Sequence, residues 1–510
     1  KKKKKHRNSR MKFLGLRLCE HDSNISYSDG TSVKYFKHER YNQIKHYGCN
    51  NLFEWCEIEN YLNIKLSELD AIAIVIDVFR YPQLKKEDPE ALFEKFKIPQ
   101  KPFTDLDCPV FRVDHHYAHS LSNWPLVDKA DVDFVLDGFG DLRRSCSIFS
   151  NNKFVDVFTL ETMFSLGKQL SLMGEHMNIF AVGDDAAGKL MALKAFGNFN
   201  KKYYDYMSQF ELNDTKKIFD YNEFVKCVGS ELAANYKFID YLRTLHDYME
   251  VAFPKFFMKY AKSNDVITYS GGVAHNVCIN TQIRKQFPNL IIPPHCNDEG
   301  LSLGCIEFLR QHYKQPKFKN TGYPYWQSDM KPEKDASLKT IKKTAEDLAN
   351  GKIIGWYQGH GEIGPRALGN RSILMSPEVK NGKHILNSKV KHREDYRPFA
   401  ASILIEDTKN YFDWEGESDY MKYSVKFKDK VFEPISHIDN TSRIQTVKPN
   451  LNIYYELISE FKKLTGLPML LNTSLNDNGK PIAGKPADAL ALLKNSELDS
   501  LVIGDTTINK

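Results

Sequence analysis

The stretch Val132-Asp-Phe-Val-Leu-Asp-Gly-Phe-Gly-Asp141 begins with a predicted strand, Val132 to Leu136, directly before a loop that carries two aspartates and two glycines. A second apolar segment, Cys146 to Phe149, predicts a neighbouring strand. Further along, a predicted strand at Val266 to Tyr269 leads into Ser270-Gly-Gly-Val-Ala-His-Asn276. Strands that alternate with helical patterns in this way predict an α/β protein with mostly buried sheets.

Periodicity predicts further elements on both sides of this stretch. The other predicted strands are Lys12 to Leu18, Ile25 to Tyr27, Ala71 to Val78, Ile353 to Tyr357 and Leu501 to Ile503. The predicted helices are Leu52 to Ile64, Pro89 to Phe96 and Leu338 to Asn350. An irregular stretch with three prolines, Gln315 to Pro332, indicates a domain boundary. We therefore expect domains over residues 11–325 and 326–510, preceded by a tag or disordered arm at residues 1–10.

Composition and charge exclude several classes of protein. The 510 residues are 42% hydrophobic and 27% charged, which is ordinary for a globular chain and excludes wholesale disorder. Apolar runs stay far shorter than the roughly 18 residues that span a bilayer, so we expect no membrane partner. The formal net charge is +6, but residues 1–10 hold seven Lys and Arg, and without them it is −1. Any polyanion must therefore be held by local patches.

The nine cysteines give no sign of a disulfide framework or a zinc finger. Their number is odd, they form no Cys-x-x-Cys pair, and they follow no secretory signal. Buried thiols in a reducing compartment are the default interpretation, which predicts a cytoplasmic protein.

A histidine pair is the first motif that carries chemistry. His115 and His119 lie four residues apart, so on a helix both imidazoles project from one face and can share a metal ion. An isolated pair of this kind is more often structural. Asp137 at a strand end, and Asp298 at what we expect to be another, would complete a set of two imidazoles and two carboxylates. That set suits iron, manganese or zinc acting as a Lewis acid with positions open for substrate.

Two glycine-bearing segments are candidates for a nucleotide site, because glycine lets backbone N–H groups approach phosphate closely. They are Gly183 to Lys189 and Ser270 to Gly272. Neither matches the Walker A or dinucleotide fingerprint, and ordinary turns are the alternative interpretation.

The densest cationic cluster lies in the second half of the chain. Arg366, in Gly364-Pro-Arg-Ala-Leu-Gly-Asn-Arg-Ser372, is followed by a lysine and three arginines, namely Lys391, Arg393, Arg397 and Arg443. Guanidinium groups hold phosphates in a fixed bidentate geometry. A solvated basic surface is the alternative, but these arginines are interleaved with Pro, Gly, Leu and Phe, which favours a pocket. Asn472-Thr-Ser-Leu-Asn476 puts amides and hydroxyls at a predicted strand end, where ligands of open α/β sheets bind.

Taken together, the motifs resemble those of the ATP-dependent O-carbamoyltransferases of the nodulation-protein and tobramycin-biosynthesis type. The resemblance runs from Met11 to near the end of the chain and rests on ten segments in order. These are His21-Asp22, DHHYAHS, DGFGD, Gly188-Lys189, SGGVAHN, DEGLSLG, GPRALGNRS, Lys391 to Phe399, SHIDNTSRIQTV and LNTSLN. Ten ordered segments are far more specific than any one of them.

The resemblance implies an N-terminal TsaD-like domain of the actin/Hsp70 superfamily and a C-terminal YrdC-like domain. The C-terminal domain would form carbamoyl-adenylate from carbamoyl phosphate and ATP with Mg²⁺ at Arg366, Lys391, Arg397, Arg443, Asn472 and Ser474. The N-terminal domain would bind the adenylate at Lys189, Gly271, Gly272 and Asn276. It would pass the carbamoyl group to an acceptor hydroxyl beside Fe²⁺, or another divalent metal, held by His115, His119, Asp137 and Asp298. His21 matches the position of a general base.

Two departures and two rival functions qualify this interpretation. Asp184-Asp185 and Leu475 differ from the commoner residues, which bears on nucleotide contacts more than on the reaction. A tRNA threonylcarbamoyl-type enzyme would use the same two folds, but the near-neutral body weighs against RNA. A non-catalytic nucleotide-binding scaffold would not need both a metal set and a phosphate-binding set.

The sequence leaves the acceptor open. Abundant Lys, Asn, Ile and Tyr hint at an AT-rich genome, which makes the 5-hydroxymethyl group of a modified cytosine, in a nucleotide or DNA, one candidate. A hydroxyl on a small molecule or sugar, as in an antibiotic, toxin or lipo-oligosaccharide, is the other. The oligomeric state is open as well, with a homodimer as one option.

Overall fold

A computed structural model describes most of the chain. The described residues are 10–17, 21–49, 57–76, 92–98, 101–138, 140–160, 162–163, 165–176, 179, 185–212, 235–328, 330–449 and 452–510. Within them the strands form three sheets, of six, five and eight strands.

The first sheet has the strand order β3-β2-β1-β4-β6-β5. Its strands are β1 (Phe13–Arg17), β2 (Asn24–Ser28), β3 (Val33–Lys37), β4 (Ala71–Val75), β5 (Phe93–Phe96) and β6 (Val110–Val113). Strands β1 to β3 form an antiparallel meander, and β4 and β6 add to it in parallel. Strand β1 is fully buried, because the helix Leu301–His312 packs against it and its Leu14 and Leu16 belong to a buried apolar cluster with Ile58 and Leu62.

The second sheet repeats this connectivity, with the order β11-β10-β7-β8-β9. Its strands are β7 (Val132–Leu136), β8 (Arg144–Ser150), β9 (Lys153–Thr159), β10 (Ile267–Ser270) and β11 (Leu290–Ile291). Strands β7 to β9 are again an antiparallel meander, and β10 and β11 are again parallel additions next to its first strand. Apart from the edge strand β5, the chain from 13 to 291 thus contains the same sheet topology twice.

The third sheet is mixed and has the order β15-β16-β14-β17-β13-β12-β18-β19. Its strands are β12 (Ile354–Tyr357), β13 (Arg371–Met375), β14 (Ala400–Leu404), β15 (Ser424–Lys426), β16 (Thr441–Val447), β17 (Met469–Ser474), β18 (Ser500–Ile503) and β19 (Thr506–Asn509). β14 pairs in parallel with β16, and β12 pairs in parallel with β18. The other neighbours pair antiparallel.

Helices cover these sheets. The first seven described helices are α1 (His38–Asn42), α2 (Ile58–Leu62), α3 (His115–Leu121), α4 (Leu166–His176), α5 (Asp185–Leu193), α6 (Lys201–Met207) and α7 (Asn235–Phe257). The remainder are α8 (Val277–Gln286), α9 (Leu301–His312), α10 (Leu338–Ala349), α11 (Gly382–Lys389), α12 (Thr408–Tyr411), α13 (Asn452–Thr465) and α14 (Pro486–Asn495). None of the described helices is both long and apolar enough to cross a membrane.

The predicted helix over Pro89 to Phe96 is wrong where the structure describes it. Phe93 to Phe96 form the edge strand β5, which pairs antiparallel with β6. The ring of Phe93 packs 4.6 Å, centroid to centroid, from that of Phe308, and Glu94 accepts a 2.8 Å hydrogen bond from Arg112. These distant partners override the local helical pattern. Residues 89–91 lie outside the described part.

The two halves of the chain are in close contact along their boundary. Arg40 donates to the carbonyl of Gly364 at 2.9 Å, and Thr281 donates to the carbonyl of Ser424 at 3.0 Å. One continuous cluster of buried apolar side chains includes Phe134 of the second sheet and Trp356 of the third. The contacts hold the two halves against each other, so that a cavity between them has defined walls.

The described cysteines agree with the expectation of unpaired thiols. Cys146, Cys296 and Cys305 are free and buried, and Cys108 and Cys278 are free and partly buried. Cys49 is buried as well. The other three lie outside the described residues.

Candidate functional site

The histidine pair is on a helix, as its spacing predicts. Asp114 caps α3 by accepting a 3.0 Å hydrogen bond from the backbone N–H of Tyr117, and its other oxygen pairs with Arg144. One helical turn separates His115 from His119, so both rings leave the same face. Both are buried, and His119 has no exposed surface at all.

Close packing of α9 fixes the position of α3. A Cβ atom on Gly304 of α9 would lie 1.9 Å from the carbonyl oxygen of Ala118. Only glycine lets the two helix backbones approach this closely, and Ala118 immediately precedes a member of the histidine pair.

Replacing Gly304 with alanine is therefore expected to lower the free energy of unfolding by about 3 kcal/mol, because the new methyl group must push α3 away. Urea denaturation measures this change. Gly188→Ala, in α5, is the matched control, since its Cβ would meet nothing within 4 Å. Equal stabilities of the two variants would contradict the tight contact between α3 and α9.

The structure brings all four predicted metal ligands together. His115 Nε2 lies 3.1 Å from Asp137 Oδ2 and 3.2 Å from Asp298 Oδ1. His119 Nε2 lies 3.3 Å and 3.4 Å from the same two oxygens. One potential ligand atom from each residue lies within 4.8 Å of the others. Residues far apart in the chain thus form one compact cluster.

The backbone holds the Asp137 carboxylate in place. Asp137 follows β7 directly, and its Oδ1 accepts hydrogen bonds from the backbone N–H groups of Gly138 (2.8 Å) and Gly272 (3.0 Å). Gly271 has φ +91°, and a Cβ there would lie 2.1 Å from the Leu136 carbonyl oxygen. Glycine is required for this approach, which leaves Oδ2 of Asp137 facing the histidines.

Asp298 is at the start of a short 3-10 helix, Asp298–Gly300, that leads into α9. The expectation of a strand end at this position is therefore corrected, because the chain has already left β11 at Ile291. Asp298 Oδ2 accepts a 2.8 Å hydrogen bond from the guanidinium of Arg17. Its Oδ1 faces the two histidines.

The electrostatics of the cluster fit a divalent cation. Burial alone would raise the carboxylate pKa values, but the histidines hold the pKa of Asp137, and His115 and Arg17 that of Asp298, well below the usual range. The buried His119 ring finds no partner with hydrogen-bond geometry among the described residues, although two carboxylate oxygens lie close to its Nε2. Two buried carboxylates and two imidazoles are a ligand set for iron, manganese or zinc.

His21 lies beside this cluster. Its Nδ1 is 3.0 Å from Asp22 Oδ2, and its Nε2 is 3.9 Å from Asp298 Oδ2. Burial opposes a charge on the ring, but the two carboxylates raise the pKa of His21 to about 9. A general base must be neutral, so this role requires that the negative charges of Asp22 and Asp298 be compensated.

A second acidic cluster nearby already contains its own cation. Asp22, Glu39 and His46 also offer ligand atoms within 4.8 Å of one another. However, Lys37 Nζ lies 3.0 Å from Asp22 and 2.9 Å from Glu39, and it also contacts Glu299 at 2.7 Å. This buried ammonium compensates the carboxylates, and we treat the group as structural support.

A cavity of about 440 Å³ opens beside the four-residue cluster and extends to the C-terminal half. Its N-terminal walls include His21, His115, Asp137 and Asp298. Its C-terminal walls include Arg366, Arg393, Arg397 and Arg443. The cavity is thus shared by both of the predicted chemical centres.

The arginine cluster is strongly cationic. Burial and the neighbouring guanidinium groups hold the pKa of Arg443 well below its usual range. The Nε of Arg443 has no hydrogen-bond partner among the described residues, and the guanidinium of Arg397 lies 3.7 Å from Glu394. Repulsion between like charges at the wall of a cavity favours the binding of an anion.

Three predicted phosphate-site residues are not among those that line the cavity. Lys391 Nζ donates to the carbonyl oxygens of Ser474 (2.8 Å) and Asn476 (2.6 Å). Asn472 lies inside β17, instead of at a strand end, and donates to Ser402 Oγ at 3.0 Å. These side chains hold the backbone behind the arginines together, and their predicted contact with a ligand stays a prediction.

The predicted N-terminal nucleotide residues are divided between the cavity and its surroundings. Gly272 and Asn276 line the cavity, and Asn276 also caps α8 through a 3.2 Å hydrogen bond from Ile279 N–H. Gly271 is the close-approach residue under Asp137. Lys189 pairs with Glu394 of the C-terminal half at 2.7 Å. Residues 183 and 184 of the glycine-bearing segment Gly183 to Lys189 lie outside the described part.

Sequence reasoning missed several residues at this site. Arg17, His46, Lys194 and His275 line the cavity, and Arg17 touches a predicted metal ligand. Arg17 has a signal in the sequence, since it is a charged residue inside the apolar segment Lys12 to Leu18, and it is only 5% exposed. A charge in a buried strand needs a partner, and such a position is worth testing as a site residue.

Comparison with known families gives two matches, one in each half of the chain. A family model described as "Carbamoyltransferase N-terminus" matches residues 101–306. A second, described as "Carbamoyltransferase C-terminus", matches residues 345–510.

Individual proteins are similar as well. The nodulation protein NolNO of Sinorhizobium fredii is 29% identical over 94% of this chain and 78% of its own length. The 3'-hydroxymethylcephem-O-carbamoyltransferase of Amycolatopsis lactamdurans is 32% identical over 46% of this chain and 47% of its own length. Among solved structures, full-length HypF in its phosphate- and nucleotide-bound form covers 61% of this chain and 48% of its own, at 11% identity and a TM-score of 0.39. A likeness this distant carries no argument about the fold.

Proposed function

This chain belongs to the carbamoyltransferase family of enzymes, and on that premise we propose that it is an ATP-dependent O-carbamoyltransferase. Carbamoyl phosphate, water and ATP would give carbamoyl-adenylate, with release of phosphate and pyrophosphate. The carbamoyl group would then pass to a hydroxyl, which loses its proton, with AMP as the leaving group. The observation that carries the proposal is the shared cavity, which has the arginine cluster on one wall and the His115, His119, Asp137 and Asp298 cluster on another.

We further propose that the two steps belong to two domains, 11–325 and 326–510. The repeated sheet topology of the first, a three-stranded meander with two parallel strands beside it, supports a TsaD-like domain of the actin/Hsp70 superfamily. The mixed eight-stranded sheet would be the core of a YrdC-like domain. The family models match on either side of the proposed boundary.

In the C-terminal domain, Arg366, Arg397 and Arg443 would hold the phosphoryl groups of carbamoyl phosphate and MgATP. Several fixed guanidinium groups can orient two anionic reactants and stabilise the charge that develops between them. Lys391, Asn472 and Ser474 belong to the same site in this proposal, with Lys391 acting through the loop that it holds at Ser474 and Asn476.

In the N-terminal domain, His115, His119, Asp137 and Asp298 would hold Fe²⁺ or another divalent ion. A bound ion of this kind supplies Lewis-acid polarisation of a carbonyl group. His21 would take the proton of the acceptor hydroxyl at Nε2, because Nδ1 is engaged with Asp22. Gly272 and Asn276, at the cavity wall, would position the adenylate, with Lys189 and Gly271 shaping the same region.

We propose an acceptor that carries a hydroxyl group, by analogy with the relative named for a hydroxymethylcephem. The 5-hydroxymethyl group of a modified cytosine is the more specific hypothesis, and a small-molecule or sugar hydroxyl is the alternative. Phosphate contacts to DNA would make the activity fall steeply with salt, whereas a small acceptor would show a weak salt dependence. A DNA base would also have to leave its stack to reach the cavity.

The test is pyrophosphate release from ATP with and without carbamoyl phosphate, using Fe²⁺-loaded protein and a panel of hydroxylated acceptors. We expect release that requires carbamoyl phosphate, and a carbamoylated product with one class of acceptor. Pyrophosphate release that does not depend on carbamoyl phosphate under any condition would contradict the transferase function.

A further inference from the structure

The end of the β1–β2 hairpin contacts Asp298 at two points. Arg17 is the last residue of β1 and Asn24 the first of β2, and they face each other in the antiparallel register. Arg17 donates to the Asp298 carboxylate at 2.8 Å. Asn24 Nδ2 donates to the Asp298 backbone carbonyl at 2.9 Å. The end of the β1–β2 hairpin thus holds both the side chain and the backbone of Asp298.

The two carboxylate oxygens of Asp298 have different surroundings. Oδ1 lies 3.2 Å from His115 Nε2 and 3.4 Å from His119 Nε2, whereas Oδ2 is taken by Arg17. The Arg17 and Asp298 side chains are only 6% and 7% exposed, so water competes little with this ion pair.

Asn24 is itself fixed. Its Nδ2 also donates to the carbonyl of Asp22 at 2.6 Å, and its Oδ1 accepts from the backbone N–H of Ser302, in α9, at 3.2 Å. The hairpin end is therefore a rigid support for the turn that begins at Asp298.

We propose that Arg17 and Asn24 form a clamp that makes Asp298 a one-oxygen ligand of the divalent cation in the proposed site. This inference rests on the proposed function, which supplies the cation. By reserving Oδ2, the clamp prevents Asp298 from binding through both oxygens. It fixes the direction of Oδ1 towards His115 and His119.

The direction in which metal affinity changes when Arg17 is removed tests the proposal. Arg17 is a cation close to the bound ion, so by charge alone its removal would tighten metal binding. If Arg17 acts by orienting Asp298, its removal weakens binding instead. Partners that orient ligands in this way are typically worth about 10- to 100-fold in metal affinity.

The experiment titrates chelator-stripped, full-length protein with Co²⁺, following visible absorption for coordination and calorimetry for affinity. We expect Arg17→Met to weaken Co²⁺ binding by about 10- to 100-fold and to change the absorption spectrum. Asn24→Ala should weaken binding by about tenfold, and Arg17→Lys should recover part of the loss. Arg310→Met is the matched control, because Arg310 pairs with Glu307 in the same half and does not touch the site.

An Arg17→Met variant that binds Co²⁺ as tightly as the wild type, or more tightly, would overturn the clamp. If circular dichroism shows that Arg17→Met is unfolded, Asn24→Ala decides, and unchanged affinity in that variant would overturn it. Absence of Co²⁺ binding by the wild-type protein would instead overturn the metal centre of the proposed function, and the clamp with it.

Discussion

Replacement of His119 with alanine is expected to lower the rate of carbamoyl transfer sharply, while pyrophosphate release that depends on carbamoyl phosphate continues. The ring is fully buried, and its Nε2 faces one oxygen each of Asp137 and Asp298. Its loss removes one of four potential ligands, and the rate of transfer should fall by about 10³-fold. The arginines of the other wall are untouched, so adenylate formation should remain. Metal analysis and single-turnover assays of both steps measure this separation.

His116→Ala is the matched control for this variant. His116 is a buried imidazole on the same helix, but its Nδ1 faces Ser147 Oγ at 2.8 Å and it is not part of the four-residue cluster. It should cost stability and leave the metal content unchanged. Wild-type transfer by His119→Ala would refute the metal centre, and loss of both steps would refute the division of labour between the two walls.

Local periodicity correctly predicted the elements whose own residues form a clear apolar pattern. The strand predicted at Val132 to Leu136 is β7, and the helix predicted from Leu338 is α10, which ends one residue early. Each is an apolar run or an amphipathic pattern that identifies itself within a few residues. The β5 strand could not be found in this way, because Phe93 is 41% exposed at a sheet edge and depends on pairing with β6.

In the candidate site, too, local features could be predicted from the sequence and long-range contacts could not. The spacing of His115 and His119 predicted a shared helix face, since that is a local property. That Asp298 reaches them depends on α9 packing against both α3 and β1, which only the folded chain shows. The contact of Arg17 with Asp298 is equally non-local. Sequence could have flagged Arg17 as a charge in a buried strand, but it could not have named the partner.

Replacement of Arg443 with methionine is expected to lower carbamoyl-phosphate-dependent pyrophosphate release by about 10²- to 10³-fold and to stabilise the protein. Arg443 lines the cavity next to three other arginines, and their mutual repulsion with burial disfavours its charge. Because a residue kept for binding an anion destabilises the empty fold, its removal should raise the free energy of unfolding by about 1 kcal/mol. Urea denaturation and the pyrophosphate assay measure the two effects.

Arg371→Met, in the same half of the chain, is the control variant and is expected to lose stability where Arg443→Met gains it. Arg371 is fully buried and donates to the backbone carbonyls of Gln358 and Gly359 at 2.5 and 3.0 Å. Its loss leaves those carbonyls unsatisfied and should lower the free energy of unfolding by about 3 kcal/mol.

Inorganic pyrophosphate should raise the melting temperature of the wild type and not that of Arg443→Met. If Arg443→Met lost stability as Arg371→Met does and kept its pyrophosphate release, the arginine cluster would be structural, because neither effect expected of an anion site would be observed.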